Sequence, residues 1–176
     1  NDVLVEIEHD IQRLTLVAER FSKIGAQPKL DATDLVSFIE NYTEYFKKRI
    51  STKVSISVSQ KHSGTITAML NSDLFGWVLE NLLKNAIDAM GGEGKISILI
   101  FSQANNAVID ISDTGAGIPK GQWEKIFEPG FSTKRRGWGL GLSLTKRIVE
   151  DYHSGKIMVK RSEVGVGTTF RVFLKS

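Results

Sequence analysis

The segment from Asp73 to Met90 constrains the fold more than any other part of the chain. At about 100° per residue, Phe75, Val78, Leu79, Leu82, Leu83, Ala86, Ile87 and Met90 fall on one broad face of a helix. Trp77, Asn81, Lys84, Asn85 and Asp88 fall on the other. An apolar face this wide must be covered, and the neighbouring sequence supplies strands to cover it. Val54, Ile56 and Val58 alternate with serines, and Ile66, Ala68 and Leu70 alternate likewise. Lys95 to Ser102 and Ala107 to Ser112 predict a hairpin turning through Asn105-Asn106. Lys156 to Arg161 and Thr168 to Leu174 are the last two predicted strands. Further helices are expected over Asp31 to Ile50, with Asp31 or Thr33 as N-cap, and over Gly141 to Tyr152. The expectation is an α+β fold, a two-layer sandwich with helices on one face of a mixed, mainly antiparallel sheet.

A second feature stands apart from that domain. Leu4, Ile7, Ile11, Leu14, Ala18 and Phe21 recur three and four residues apart, the seam of a helix that packs along another helix. The simpler alternative is an N-terminal helix docked on its own domain; the regularity of the seam favours a bundle. The run stops at Gly25, and Ala26 to Leu30, with Pro28, reads as a linker. The expected organisation is thus a bundle-type helix over 1–25, a linker over 26–30 and one domain over 31–176.

Composition removes several classes of function. The chain has no cysteine, which excludes disulfides and thiolate metal sites and fits a reducing compartment. No apolar run approaches the ~18–20 residues of a membrane span, so no membrane contact is expected. The net charge is only +3, with basic residues scattered except at Lys134-Arg135-Arg136. That is too weak a footprint for nucleic acid.

Three segments carry candidate chemistry. Asn81 and Asn85 lie one turn apart in the middle of the polar helix face, where asparagine gains nothing from helix propensity. Their amide oxygens suit a hard cation such as Mg²⁺, and their N–H groups suit phosphate; a plain solvated face is the other reading. Asp113-Thr114-Gly115-Ala116-Gly117-Ile118-Pro119 runs from a strand end into alternating glycines. An acid there can accept from an exocyclic amine, and the glycines allow close approach, although a simple turn has the same look. Gly137-Trp138-Gly139-Leu140-Gly141 opens a helix just after the basic triplet. Glycines at a helix N-terminus present N–H groups to an anion. The spacing fits neither the dinucleotide fingerprint nor the P-loop.

Together these segments resemble the GHKL (Bergerat-type) ATP-binding domain, and within it the sensor histidine kinases. Glu80 to Met90 is similar to the N box, Asp113 to Pro119 to the G1 box and Ile126 to Lys134 to the F box. Gly137 to Leu142 is similar to the G2 box, and Gly165 to Phe170 to the glycine-threonine turn beyond it. The resemblance covers about residues 31–176, and the first helix resembles the second helix of the family's dimerisation hairpin. It implies ATP and Mg²⁺ as cofactors. Asn85 would ligate the metal, with Asn81 beside it and Asp88 on the same face. Asp113 would bind the adenine amine in a pocket shaped by Gly115, Gly117, Ile118 and Thr168. Gly137, Gly139 and Gly141 would face the phosphates, with Leu140 and Leu142 also among the nucleotide-binding residues. Pro119 to Trp138 would form a mobile lid anchored by Phe127 and Phe131. Lys134 and Arg136 are candidate γ-phosphate contacts, with a solvated basic run as the plainer reading. Trp138 departs from the family, which commonly has a small hydroxyl residue there.

The resemblance also bears on the reaction. Hydrolytic relatives carry a glutamate one turn before the metal-binding asparagine. Here that position is Asn81, and an amide is no general base near neutral pH. This favours phosphoryl transfer over hydrolysis. A nucleotide-sensing or scaffolding module without transfer activity is the alternative. The implied partners are a second copy, joined through the first helix, and the receiver domain of a response regulator; the implied setting is the cytoplasm, with the cytoplasmic part of a membrane-bound sensor as one form of it. Of the histidines, His9 takes an outer position on the seam, His62 a turn, and His153 a helix-to-strand junction. The phosphoacceptor is therefore expected upstream of Asn1.

Overall fold

The computed structural model describes residues 28–133 and 139–176. The expected bundle helix and most of the linker lie outside the described residues, as do Lys134, Arg136, Gly137 and Trp138. The elements run β1 (Asp31–Asp34), α1 (Leu35–Lys47), β2 (Val54–Gln60), β3 (Thr67–Leu70), α2 (Ser72–Ala89), β4 (Gly94–Gln103) and β5 (Asn106–Asp113). They continue with α3 (Gly141–Arg147), β6 (Lys156–Glu163) and β7 (Gly167–Lys175). The main sheet has the order β2-β4-β5-β7-β6; β2 pairs β4 in parallel, and every other pairing is antiparallel. The α+β expectation holds.

The core lies between one sheet face and the helices. Ile96, Ile98 and Ile100 of β4 stand beside Ile109 and Ile111 of β5 and Phe170, Val172 and Leu174 of β7, all buried. From the helical layer, Leu79, Leu82 and Leu83 of α2 and Leu35 and Ile39 of α1 are no more than 1% exposed. Each such side chain contributes about 1.5–3 kcal/mol relative to exposure. Trp77, expected on the polar face of α2, instead packs half-buried against the core.

Three expectations need correction. Asp31–Asp34 does not begin a helix; it pairs antiparallel with β3, from Asp31 opposite Leu70 to Asp34 opposite Thr67. The N-cap is therefore neither Asp31 nor Thr33 but Asp34, whose Oδ1 accepts from Val36 N at 3.1 Å and Ser37 N at 3.3 Å. The β4–β5 turn is Ala104-Asn105, because Gln103 already pairs with Asn106. That register sets Ile98 opposite Ile111 and Ile100 opposite Ile109; a slip of one residue would turn one strand's isoleucines outward. Ala104 accepts a φ of 53° to allow it, at about 1 kcal/mol. The expected helix to Tyr152 widens into a π turn over Ile148–Tyr152. There the buried His153 ring bonds the Ile148 carbonyl through Nδ1 at 2.8 Å and receives the Asn71 N–H at Nε2 at 3.1 Å. The loop after Pro119 has local structure of its own. It holds 3₁₀ turns at Lys120–Gln122 and Lys125–Phe127, and the core draws in Ile126 and Phe127.

The other sheet face is anchored by an acid that the sequence did not single out. Asp110 is 3% exposed and is gripped by Arg171 at 2.6 and 2.7 Å and by Lys160 at 2.8 Å. Burial works to raise the Asp110 carboxyl, but the hydrogen bonds and charges of Arg171 and Lys160 outweigh it and hold it below the usual value.

Candidate functional site

The site is organised by α2. Its C-terminal end meets the loop leaving β5, where Ala116 N donates to Ala89 O at 2.9 Å. A methyl group on Gly115 would lie 2.7 Å from the Ala89 carbonyl carbon, so only glycine permits this approach. Two turns earlier, Asn81 Nδ2 donates to Gly141 O at 2.6 Å and Thr145 Oγ1 at 3.0 Å, fastening α2 to the start of α3. Asn85 sits half-buried midway between these attachments. The attachments are eight residues apart, about 12 Å along the helix. Asp88, one turn from Lys84 on the same helix, is exposed.

At the β5 end, the Asp113 carboxylate is half-buried. Its Oδ1 accepts from Gly115 N at 2.8 Å and Thr168 N at 3.3 Å. Among the described residues, no donor reaches Oδ2. Burial raises the Asp113 carboxyl above its ordinary value, and the two N–H groups only partly offset this. A half-buried acceptor oxygen left without a donor is the feature a ligand amine would satisfy.

The far side of the loop is closed by the β6–β7 hairpin. Gly165 N donates to Ala116 O at 2.8 Å, and Ile118 N donates to Ser162 Oγ at 2.7 Å. Gly117 takes a φ of 73°, and a methyl group there would lie 2.1 Å from the Glu163 carbonyl oxygen. Trp123 Nε1 donates to Ile118 O at 3.0 Å, tying the following 3₁₀ turns to the same loop. Phe127 meets Phe170 edge-on with ring centroids 6.2 Å apart, and Phe131 packs partly buried on the core. Gly139 backs onto Gly130, whose N–H bonds Gly139 O at 3.0 Å. Leu140 and Leu142 are half-buried around Gly141.

Among the described expected residues, Asp113 and Thr168 are in direct contact, as are Asn81 and Gly141. The described glycines differ from expectation in one respect. Gly115, Gly117 and Gly139 are needed because other backbone presses on them, and Gly141 because the Asn81 side chain does. Sequence reasoning missed Ser162 and Trp123. Nothing in the strand pattern marks Ser162, and Trp123 gives no sign that its N–H will find a carbonyl five residues back.

The profile of the histidine kinase-, DNA gyrase B- and HSP90-like ATPases matches residues 70–176, more than half the chain. Sporulation kinase C of Bacillus subtilis (strain 168) is 35% identical over 122 residues, which cover 68% of this chain and 28% of that protein. Sensor histidine kinase ZraS of Escherichia coli (strain K12) is 43% identical over 97 residues, covering 55% of this chain and 20% of the relative. The chain therefore spans less than a third of the length of these curated relatives, and only about an eighth of the longest matches. Among solved structures, the catalytic domain of histidine kinase ThkA superposes with a TM-score of 0.74 at 29% identity, covering 84% of this chain and 96% of that one. ThkA in complex with the response regulator protein TrrA gives a TM-score of 0.76 at 26% identity, over 96% of this chain and 49% of that one.

Proposed function

The chain belongs to the histidine kinase-, DNA gyrase B- and HSP90-like ATPase family, and we propose that it is the ATP-binding catalytic domain of a sensor histidine kinase. In this reading it holds MgATP and delivers the γ-phosphoryl group to a histidine, from which an aspartate of a response regulator receives it. The observation that carries transfer over hydrolysis is Asn81. One turn before Asn85 stands an amide, and its N–H groups are committed to Gly141 O and Thr145 Oγ1. Such a group orients but cannot take a proton from water. Phosphoryl transfer depends mainly on positioning and charge stabilisation, which suits a site of this kind.

In this reading each site residue has a role. Asp113 accepts the adenine amine at Oδ2, which no donor among the described residues reaches. Thr168 and Gly115 hold the carboxylate, and Gly117 and Ile118 complete the pocket wall. Asn85, a neutral oxygen ligand, suits Mg²⁺, with Asn81 and Asp88 on the same face. Bound metal would supply charge neutralisation on the phosphates. Gly137, Gly139, Leu140, Gly141 and Leu142 border the phosphates, and Lys134 and Arg136 are γ-phosphate contacts. His153 is 1% exposed with both ring nitrogens engaged, which excludes it as acceptor. The acceptor belongs to a preceding helical segment. In this reading residues 1–25 would supply the helix through which two copies associate, with 26–30 as the linker and 31–176 as the catalytic domain. Response-regulator recognition is supported by the likeness to ThkA, which was solved with TrrA. The reading places the domain in the cytoplasm. Among the described residues no helix is long and apolar enough to cross a membrane.

Calorimetric titration with a non-hydrolysable ATP analogue, with and without Mg²⁺, tests this. Binding that strengthens with Mg²⁺ in the parent and loses that dependence in Asn85→Ala is the expected result. No binding by the parent would overturn the catalytic reading in favour of a scaffolding module.

A further inference from the structure

We propose that Ser162, aimed by a β-bulge at Lys160, is a positioning residue that sets Asp113 to read the amino group of adenine. The inference rests on the reading of Asp113 as the adenine contact and adds what holds it there.

The β6–β7 ladder pairs Val159 with Phe170 but then pairs Arg161 with Thr169 and Ser162 with Thr168, so Lys160 is the extra residue. Val159, Phe170 and Thr168 all face the buried side. In an unbroken ladder Arg161 would stand opposite Thr168, and Ser162 would project from the other face. The bulge reverses that parity. It brings a small hydroxyl, in place of a guanidinium, to the face of the sheet that borders the nucleotide loop.

There the hydroxyl joins three separate pieces of chain. Ser162 Oγ accepts the Ile118 N–H at 2.7 Å and lies 2.9 Å from Thr168 Oγ1 and 3.1 Å from Gly167 O. Its single hydrogen goes to one of the last two. Ile118 closes the loop that starts at Asp113, and Thr168 is the residue whose own N–H reaches Asp113 Oδ1. Ser162 therefore fixes the loop at one end and the Thr168 donor at the other. With Oδ1 held by Thr168 and Gly115, rotation of the carboxylate is restricted and Oδ2 keeps one direction. Gly167 leaves no slack, since a methyl group there would lie 2.0 Å from Asp113 O.

The test compares Ser162→Ala and Ser162→Thr with the parent in the whole chain. Affinities for non-hydrolysable ATP and GTP analogues are measured by calorimetry with Mg²⁺ present. Ser162→Ala is expected to weaken the ATP analogue about tenfold, the scale of one lost hydrogen bond, with the GTP analogue changed less than about twofold. Ser162→Thr, which keeps the hydroxyl, is expected to restore most of the ATP preference. A parallel loss for both analogues, leaving their ratio unchanged, would show a merely structural role and overturn the proposal. Asp113→Asn measured alongside separates the two levels. If it abolishes the preference and Ser162→Ala does not, only the Ser162 inference fails. If Asp113→Asn itself leaves the ratio unchanged, the adenine reading fails and the inference falls with it. Should Ser162→Ala not fold, Ser162→Cys, similar in volume but a poor acceptor, takes its place with the same outcomes.

Discussion

Asp113→Asn is the substitution that best separates binding from stability at this site. The variant keeps an acceptor for the N–H groups of Gly115 and Thr168, at 2.8 and 3.3 Å in the parent, and exchanges Oδ2 for an N–H₂ group. Where the parent offers an acceptor to the adenine amine, the variant offers a second donor. The loss of a charge-assisted hydrogen bond is worth about 1.5–3 kcal/mol, and two donors left facing each other cost about 1–3 kcal/mol more. Together these weaken an ATP analogue by at least roughly a hundredfold. Stability moves the other way. Burial raises the Asp113 carboxyl, so its charged form is less favourable in the folded chain than in the unfolded one. At pH 7 the variant should therefore melt at the same temperature as the parent or higher. A raised carboxyl costs stability above its folded pKa and nothing once both states are protonated, so the advantage fades as pH falls toward 3.8. Calorimetry gives the affinity, and thermal scans at pH 7 and pH 4 give the stability. An ATP affinity within threefold of the parent would refute the amine contact. A melting temperature several degrees lower at pH 7 would show the carboxylate to be a structural anchor instead.

Two further outcomes follow from other parts of the fold. Asp110→Ala strands Arg171, whose side chain is 19% exposed, while Lys160 at 43% can turn to water. The expected loss is about 2–3 kcal/mol after allowing for that screening, or about 4–12 °C in a thermal melt, with ATP-analogue affinity unchanged. His153 is held below its ordinary value chiefly by burial, and the Asn71 N–H requires its Nε2 unprotonated. The unfolded chain therefore takes up this proton first. Stability is complete above about pH 6.5 and declines as pH falls from there toward the folded pKa. His153→Gln should flatten the melting temperature between pH 7 and 5, and an unchanged slope would refute the assignment.

What could be read from the sequence was whatever repeats with a period. Helix α2 was visible because its apolar residues cover a face, and β2, β4 and β5 because theirs alternate. Asp113 stood out because an acid followed by alternating glycines is locally unusual. What stayed hidden depends on partners distant in the chain. Asp31–Asp34 has no strand pattern and is extended only because β3 offers it an edge. The bulge at Lys160 leaves no trace in composition, although it decides which way Ser162 points. The turn at Ala104 follows from the register of two isoleucine rows and overrides the better turn formers beside it.

The packing of the glycines bears on how lost activity would look in a sequence of this type. Gly115, Gly117 and Gly139 are held by contacts with Ala89, Glu163 and Gly130, and Gly141 by Asn81, all within the protein itself. A descendant that had given up nucleotide altogether would still have to keep the first three of them to fold. The Asp113 carboxylate is in the opposite position, since burial disfavours its charge and the N–H groups of Gly115 and Thr168 offset only part of that. Relaxed selection would erode the acid and preserve the glycines. An intact glycine pattern is thus a signature of the architecture, and the acid is the part that testifies to use.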